Sequence, residues 1–435
     1  MAPTGASPEH GRRPNIVLIM TDQQRWDALG SVGVLPVQTP TCDWLASDGM
    51  RFPQTFCNSP ICVPSRMSFF SGRYPHQHGC LNNGSSLWPE APTFVRELRN
   101  VGYHTANVGK LHYTWQHDLE ILVCEPLLRR LGFSEPFETT GKMSQGNLRA
   151  SAYSEHLRQK GLLEAFHRDL LQRVAAGPLG WYDLRPSMFD ENDHIDSWVL
   201  NHAADWIRRN EREPFFLWVG PEGPHDPFDP PEPYASLYRP EDMPLGPLDY
   251  SYPVASDGSK VGLPEATPRQ IQEMRTQYLG NVTQIDAGVG RIVDALASRG
   301  QLAATWIIFC SDHGEMLGDH RRVFKSEFFQ PSIQVPLIIR PPTSIPARRG
   351  IVANAMVDLL DVSATLLDLA GTSLVGHRGR SLKAKVLGGE DPDRHRDAVF
   401  SQINDRVMLC TEEWKLVVVG EELRSQYLWN RQDDL

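Results

Sequence analysis

The chain has 435 residues, 40% of them hydrophobic, and a formal net charge of −10. An acidic balance of that size argues against nucleic acid or an anionic membrane surface as the main partner, since the long-range field repels both. A single core rarely grows past roughly 250–300 residues, so one large domain with a small appended unit is the expected arrangement.

Residues 1–13 (MAPTGASPEHGRR) are polar, offer no apolar stretch for a signal peptide, and are expected to be disordered. No run of about 18 apolar residues follows, so no membrane span is expected. Cys42, Cys57, Cys62, Cys80, Cys124, Cys310 and Cys410 are scattered. Such spacing suits the free thiols of a reducing compartment, and a cytoplasmic location is expected. Residues 15–20 (NIVLIM) form a short continuous apolar run, the pattern of a strand buried on both faces. Residues 41–48 (TCDWLASD) and 92–100 (PTFVRELRN) predict helices, and 104–108 (HTANV) a strand. Residues 214–219 (PFFLWV) and 305–310 (TWIIFC) are again buried strands. A long helix is expected over 268–299, with Gly300 as its cap. Residues 335–339 (VPLII) predict a further strand, and 357–370 (VDLLDVSATLLDLA) an amphipathic helix stopped by Gly371. Residues 115–200 and 226–267 are the least regular; the second is proline-rich and suits long loops that shape a substrate pocket. Strands alternating with helices predict an α/β domain with a large, mostly parallel sheet and helices on both faces, placed at residues 14–372. Short strands at 397–402, 407–411 and 413–419 predict a small antiparallel sheet in a C-terminal subdomain, 373–435.

Ligands of open α/β sheets bind at the carboxyl ends of the strands. After NIVLIM stand Asp22 and Gln23; after HTANV, Lys110 and His112; after PFFLWV, His225; after TWIIFC, Asp312 and His313. Taken singly, these are ordinary helix caps and turn residues. Together they bring acids, an amide, imidazoles and a lysine to one rim, a recurrence of chemical types that turns alone would not need. Cys62-Val63-Pro64-Ser65-Arg66 opens a helix expected over 64–71 and closed by Gly72. Cys62 would then lie at a helix N-terminus, which lowers a thiol pKa and attracts anions. The alternative is a buried, inert cysteine.

Here the chain resembles the sulfatase family of the alkaline phosphatase-like superfamily. Residues 62–66, followed by Gly72-Arg73, look like the signature Cys-x-Pro-Ser-Arg with its downstream Gly-Arg, and Asp22-Gln23, Lys110-x-His112, Pro224-His225, Asp312-His313 and Lys325 follow the family's order. The resemblance implies that a maturation enzyme oxidises Cys62 to formylglycine. It also implies that Asp22, Gln23, Asp312, His313 and residue 62 hold one divalent cation. Calcium is the family's habit, and an amide with an imidazole also suits manganese or zinc. Hydrated formylglycine carries two hydroxyls on one carbon: by the resemblance, one attacks the sulfur as the alcohol leaves, and loss of the other's proton re-forms the aldehyde and expels sulfate. Serine, with one oxygen, could not take that last step. By the same resemblance Arg66 orients the diol, Lys110 and His112 bind diol and sulfate with His112 as base, and His225 and Lys325 clamp the sulfate and protonate the leaving alcohol. Glu315 and Asp319 are expected to be supporting or surface groups.

Many arylsulfatases carry Asp-Asp and Asp-Asn where this chain has Asp22-Gln23 and Asp312-His313. The pairing here resembles phosphonate monoester hydrolases and choline sulfatases. The expected substrate is therefore a small sulfate ester, with phosphonate monoesters or phosphodiesters as the alternative and a non-catalytic anion-binding relative as the second.

Overall fold

The computed structural model describes residues 13–88, 90–113, 121–139, 141–142, 151–175, 183–248, 266–420 and 425–430. Residues 1–12 of the expected disordered segment, and parts of both irregular stretches, lie outside the described residues.

A seven-stranded sheet organises the chain, in the order His104–Gly109, Phe215–Gly220, Asn15–Thr21, Thr305–Ser311, Leu337–Arg340, Met50–Arg51, Ile351–Val352. Its strands run one way except Leu337–Arg340, which is antiparallel to both neighbours. Asn15–Thr21 lies inside the sheet, between Phe215–Gly220 and Thr305–Ser311, and is buried throughout. Its side chains alternate between two cores, as period-two geometry requires. Ile16, Leu18 and Met20 join Val63, Phe69, Phe70, Phe94 and Trp218 on one face. Val17 and Ile19 join Trp198, Ile285, Val289 and Ile292 on the other. The helices Cys62–Ser71, Phe94–Asn100 and Leu359–Ala370 thus cover one side, and Ile195–Arg209 with Pro268–Ser298 the other. Each fully buried Ile, Leu or Phe contributes roughly 1.5–3 kcal/mol of hydrophobic stabilisation, so the apolar runs that mark these strands also fix them in the middle of the molecule.

The strand expected over 335–339 is divided at Pro336. Gln334–Val335 pairs with Thr55–Phe56 in a separate three-stranded sheet, while Leu337–Arg340 enters the main one. Proline has no amide proton for a ladder, so the break falls there. The stretch read as irregular over 115–200 contains the helices Ile121–Leu131, Ala152–Gln159, Leu163–Ala175 and Ile195–Arg209. The last buries Ile195, Trp198, Val199, Ala203, Trp206 and Ile207, a three-to-four spacing that was visible in the sequence. At the C-terminal end Val399–Ile403, Arg406–Cys410, Trp414–Val419 and Ser425–Asn430 form a four-stranded antiparallel sheet, one strand more than expected. Among the described residues no helix is long and apolar enough to cross a membrane. Cys42, Cys57, Cys62, Cys80, Cys310 and Cys410 are buried free thiols.

Candidate active site

Four strands of the main sheet end at one place. Asp22 follows Asn15–Thr21, Lys110 follows His104–Gly109, the Glu222–His225 loop follows Phe215–Gly220, and Asp312 follows Thr305–Ser311. Two close approaches set the floor. A Cβ at Gly109, whose φ is +95°, would lie 2.2 Å from the Gly220 carbonyl oxygen, and one at Gly220 would lie 2.2 Å from that of Lys110. Only glycine lets these strand ends meet.

Cys62 is the first residue of the helix Cys62–Ser71, two residues earlier than the proline-based expectation, and its side chain is buried. The helix cap, Ile61, has no side-chain oxygen. Asn83 serves from afar, its Oδ1 accepting the Val63 amide proton at 3.0 Å. Cys62 Sγ lies 3.1 Å from His313 Nε2, 3.1 Å from Lys325 Nζ and 3.7 Å from Asp22 Oδ1. Burial and Asp22 push the thiol up, but Lys325 and His313 outweigh them and hold it below the free-thiol value.

The acids are held by fixed cations. Arg66, fully buried, donates from Nε to Asp312 Oδ2 at 2.7 Å and from Nη2 to Asp22 Oδ2 at 3.1 Å. Lys110 Nζ lies 2.8 Å from Asp22 Oδ2. Burial alone would raise the Asp22 carboxyl; Lys110 and the other facing cations hold it well below the usual carboxylate range. Ser65 Oγ donates to the Asp312 carbonyl at 2.6 Å, which gives the serine of the signature a structural purpose. Gln23 takes a left-handed φ of 71°, its amide oxygen accepts from Lys325 Nζ at 2.6 Å, and its amide nitrogen donates to Glu315.

The two remaining histidines stand close enough to share the field of Asp22, Lys110 and Lys325. His112 has φ 54° and a buried Nδ1 with no hydrogen-bond partner. Its backbone amide and that of Leu111 donate to Glu138 Oε1 at 3.1 and 3.0 Å. His225 Nδ1 donates to the Asp226 carbonyl at 2.8 Å, which leaves Nε2 as the free nitrogen. Burial, aided by Lys110 at His112 and by Lys325 at His225, holds both well below the usual histidine value.

The structure thus gathers Asp22, Gln23, Cys62, Arg66, Lys110, Asp312, His313 and Lys325 in direct contact, with His112 and His225 beside them. Glu138 and Asn83 escaped the sequence reading because they act on backbone amides 20 to 27 residues away and carry no local signature. Glu315 and Asp319 are buried rather than exposed, the latter between Arg25 and Arg275.

One ligand atom each from Asp22, Cys62, Asp312 and His313 lie within 4.8 Å of one another, all buried. Atoms bound to one ion at about 2.0–2.6 Å stand no more than roughly 5 Å apart, so the span fits a single cation. His313 Nδ1 donates to the Gly314 carbonyl at 2.9 Å, which directs the Nε2 lone pair inward, the usual second bond of a metal-binding histidine.

Comparison with known proteins agrees with this geometry. The Sulfatase family pattern matches residues 14–372, and the pattern described as N-sulphoglucosamine sulphohydrolase, C-terminal, matches residues 318–434. The chain is 32% identical to an arylsulfatase of Clostridium perfringens, over 85% of this chain and 78% of that one. It is 28% identical to a choline-sulfatase of Rhizobium meliloti, over 93% and 78%. Among solved structures, the phosphonate monoester hydrolase of Agrobacterium radiobacter superposes with a TM-score of 0.82 at 26% identity, over 97% of this chain and 90% of that one. The fold is therefore alkaline phosphatase-like, with the branch resemblance read from Asp22-Gln23 and Asp312-His313, and the chain belongs to the sulfatase family of enzymes.

Proposed function

We propose that this enzyme hydrolyses small sulfate esters, with residue 62, oxidised from cysteine to formylglycine, as the nucleophile beside one divalent cation. The observation that carries the proposal is the position of Cys62: first residue of a helix, 3.1 Å from both His313 Nε2 and Lys325 Nζ, and 3.7 Å from Asp22. Asp22, Gln23, Asp312, His313 and residue 62 would hold the cation, calcium by family habit, with manganese or zinc as alternatives. A bound cation supplies Lewis-acid neutralisation of the charge on the sulfate oxygens.

The chain's own residues divide the remaining work. Arg66 bridges Asp22 and Asp312 and orients residue 62. Lys110 and Lys325 present fixed positive charge to the anion. His112, neutral at physiological pH and with an unpartnered nitrogen, suits the proton acceptor for the diol. His225 is also neutral in the free protein. An anionic ester bound beside it would raise its pKa, so the proton needed by the departing alcohol is taken up when substrate arrives. The division into a catalytic domain at 14–372 and a subdomain at 373–435 belongs to the proposal, as does recognition of residues 62–66 by a maturation enzyme. The buried free thiols are in keeping with a reducing, cytoplasmic setting.

A second reading keeps the site and changes the substrate to a phosphonate monoester or phosphodiester. The Asp-Gln and Asp-His pairing and the Agrobacterium radiobacter neighbour favour it. Matured protein stripped of metal, then refilled with calcium, manganese or zinc, separates the readings on aryl sulfate, phosphate, phosphonate and phosphodiester substrates. The proposal expects the highest kcat/KM on sulfate and none without metal. A tenfold preference for phosphonate transfers the conclusion to the second reading, and turnover indifferent to chelation contradicts the metal site.

A further inference from the structure

Glu315 is fully buried, and its carboxylate joins two parts of the site that are distant in sequence. Oε1 accepts the backbone amides of Leu317 at 2.9 Å and Phe324 at 2.5 Å. Oε2 accepts from the side-chain amide nitrogen of Gln23. Its backbone is pinned as well: the Glu315 amide donates to the Pro331 carbonyl at 2.9 Å, and Arg25 Nη1 donates to the Glu315 carbonyl at 3.2 Å.

The residues it holds are unusual ones. Gln23 and Phe324 both adopt left-handed backbone, with φ of 71° and 66°, as does Ser326 at 72°. Such conformations are strained for non-glycine residues and persist only where surroundings enforce them. Between Phe324 and Ser326 stands Lys325, which reaches Gln23 Oε1 at 2.6 Å and Cys62 Sγ at 3.1 Å.

An amide side chain has one accepting end and one donating end. Lysine can only donate, so the end of Gln23 facing Lys325 is the oxygen and the end facing Glu315 is the nitrogen. A cation likewise needs the oxygen. We propose that Glu315 is a positioning residue: by accepting from the Gln23 amide nitrogen it keeps the amide oxygen turned toward Lys325 and the cation site, and by holding the Phe324 amide it places Lys325 against the same oxygen. The inference rests on the metal-site reading above and assigns Glu315 no contact with substrate.

The test reverses the polarity of one bond. In Glu315→Gln, the new oxygen still accepts from Leu317 and Phe324, and the new NH2 faces the NH2 of Gln23. Either two donors oppose each other, or Gln23 flips and turns its NH2 toward Lys325 and the cation. Adding Gln23→Glu restores an acceptor at both ends and returns the net charge to its original value. Calcium and manganese affinity measured by titration calorimetry, thermal unfolding with and without each ion, and kcat/KM on an aryl sulfate are compared for the matured parent, Glu315→Gln and the Glu315→Gln/Gln23→Glu swap. The single variant is expected to bind metal about 10- to 100-fold more weakly, and the swap to recover at least tenfold of that loss. Parent-like affinity and turnover in Glu315→Gln would overturn the proposal. So would a loss, including a failure to fold, that the swap does not repair, since that marks Glu315 as a packing residue. If the parent turns over substrate but binds no ion, the metal reading fails and the turnover comparison alone decides the role of Glu315. A parent with neither property overturns both.

Discussion

Arg66 Nε donates to Asp312 Oδ2 at 2.7 Å, between two fully buried side chains 246 residues apart in the chain. The same guanidinium reaches Asp22 Oδ2 at 3.1 Å and the Lys110 carbonyl at 3.0 Å. One rigid planar group therefore locks the helix of the nucleophile to three strand ends. Arg66→Ala would leave two buried carboxylates without their shared cation, a loss of about 3–5 kcal/mol when one partner of a buried pair is removed. Arg66→Lys keeps the charge but has no fork to bridge both acids. It is expected to fold and to lose about 100-fold in kcat/KM through misplacement of residue 62. Urea unfolding and steady-state kinetics check the pair; an Arg66→Lys enzyme as active as the parent would contradict this arrangement.

Gly220 offers a probe that touches no reacting group. Its missing Cβ makes room for the Lys110 carbonyl, which also accepts from Arg66 Nη1 at 3.0 Å and Trp218 Nε1 at 3.2 Å. Gly220→Ala is expected to cost about 1–3 kcal/mol of stability by overpacking and to lower kcat by moving Lys110. Unchanged kcat with reduced stability would show that the strand end tolerates the shift.

His78 should make the fold acid-sensitive. Its Nδ1 accepts the Cys80 amide proton at 3.1 Å, and Nε2 faces Ser68 Oγ at 2.9 Å on the helix that carries Cys62. Both nitrogens are thus committed in the neutral form. Burial, then the charges of His76 and Arg73, lowers its pKa to about 4. As pH falls below about 6.5 the unfolded chain takes up this proton before the folded one. The stabilisation is complete above about 6.5 and drains away down to about 4, for a total of roughly 3 kcal/mol. In His78→Asn, whose amide oxygen can accept the Cys80 proton, that part of the slope should vanish. Parallel stability curves for parent and variant between pH 7 and 4.5 would refute the assignment.

Much of this was legible in the chain because the parts that matter are short and strongly patterned. Asn15–Thr21 and Thr305–Ser311 are buried on both faces, so they appear as unbroken apolar runs, and a parallel sheet delivers the residues after such runs to one edge. The signature at 62–66 announced the helix, though its start lay at Cys62 rather than Pro64. Residues whose partners are remote were invisible. Glu138 acts on backbone amides across a folded loop, and an isolated glutamate in sequence is most often a solvated surface group; Glu315 is legible beside Asp312-His313 as a supporting or surface group, but its bond to Gln23, 292 residues away, is not. Val357 fits the helical pattern of 357–370 in sequence, yet it pairs with Thr55 in the three-stranded sheet while Asp358 caps the helix behind it. Two-residue strands such as Met50–Arg51 are too short to leave a period.

The peptide containing residue 62, weighed after coexpression with a maturation enzyme and set against turnover of the same sample, reaches the nucleophile itself. Conversion of thiol to aldehyde makes that peptide lighter by about 18 Da, and activity on a sulfate ester should rise in proportion to the converted fraction and disappear in Cys62→Ala. Full activity from protein whose residue 62 is wholly unmodified thiol would contradict the account.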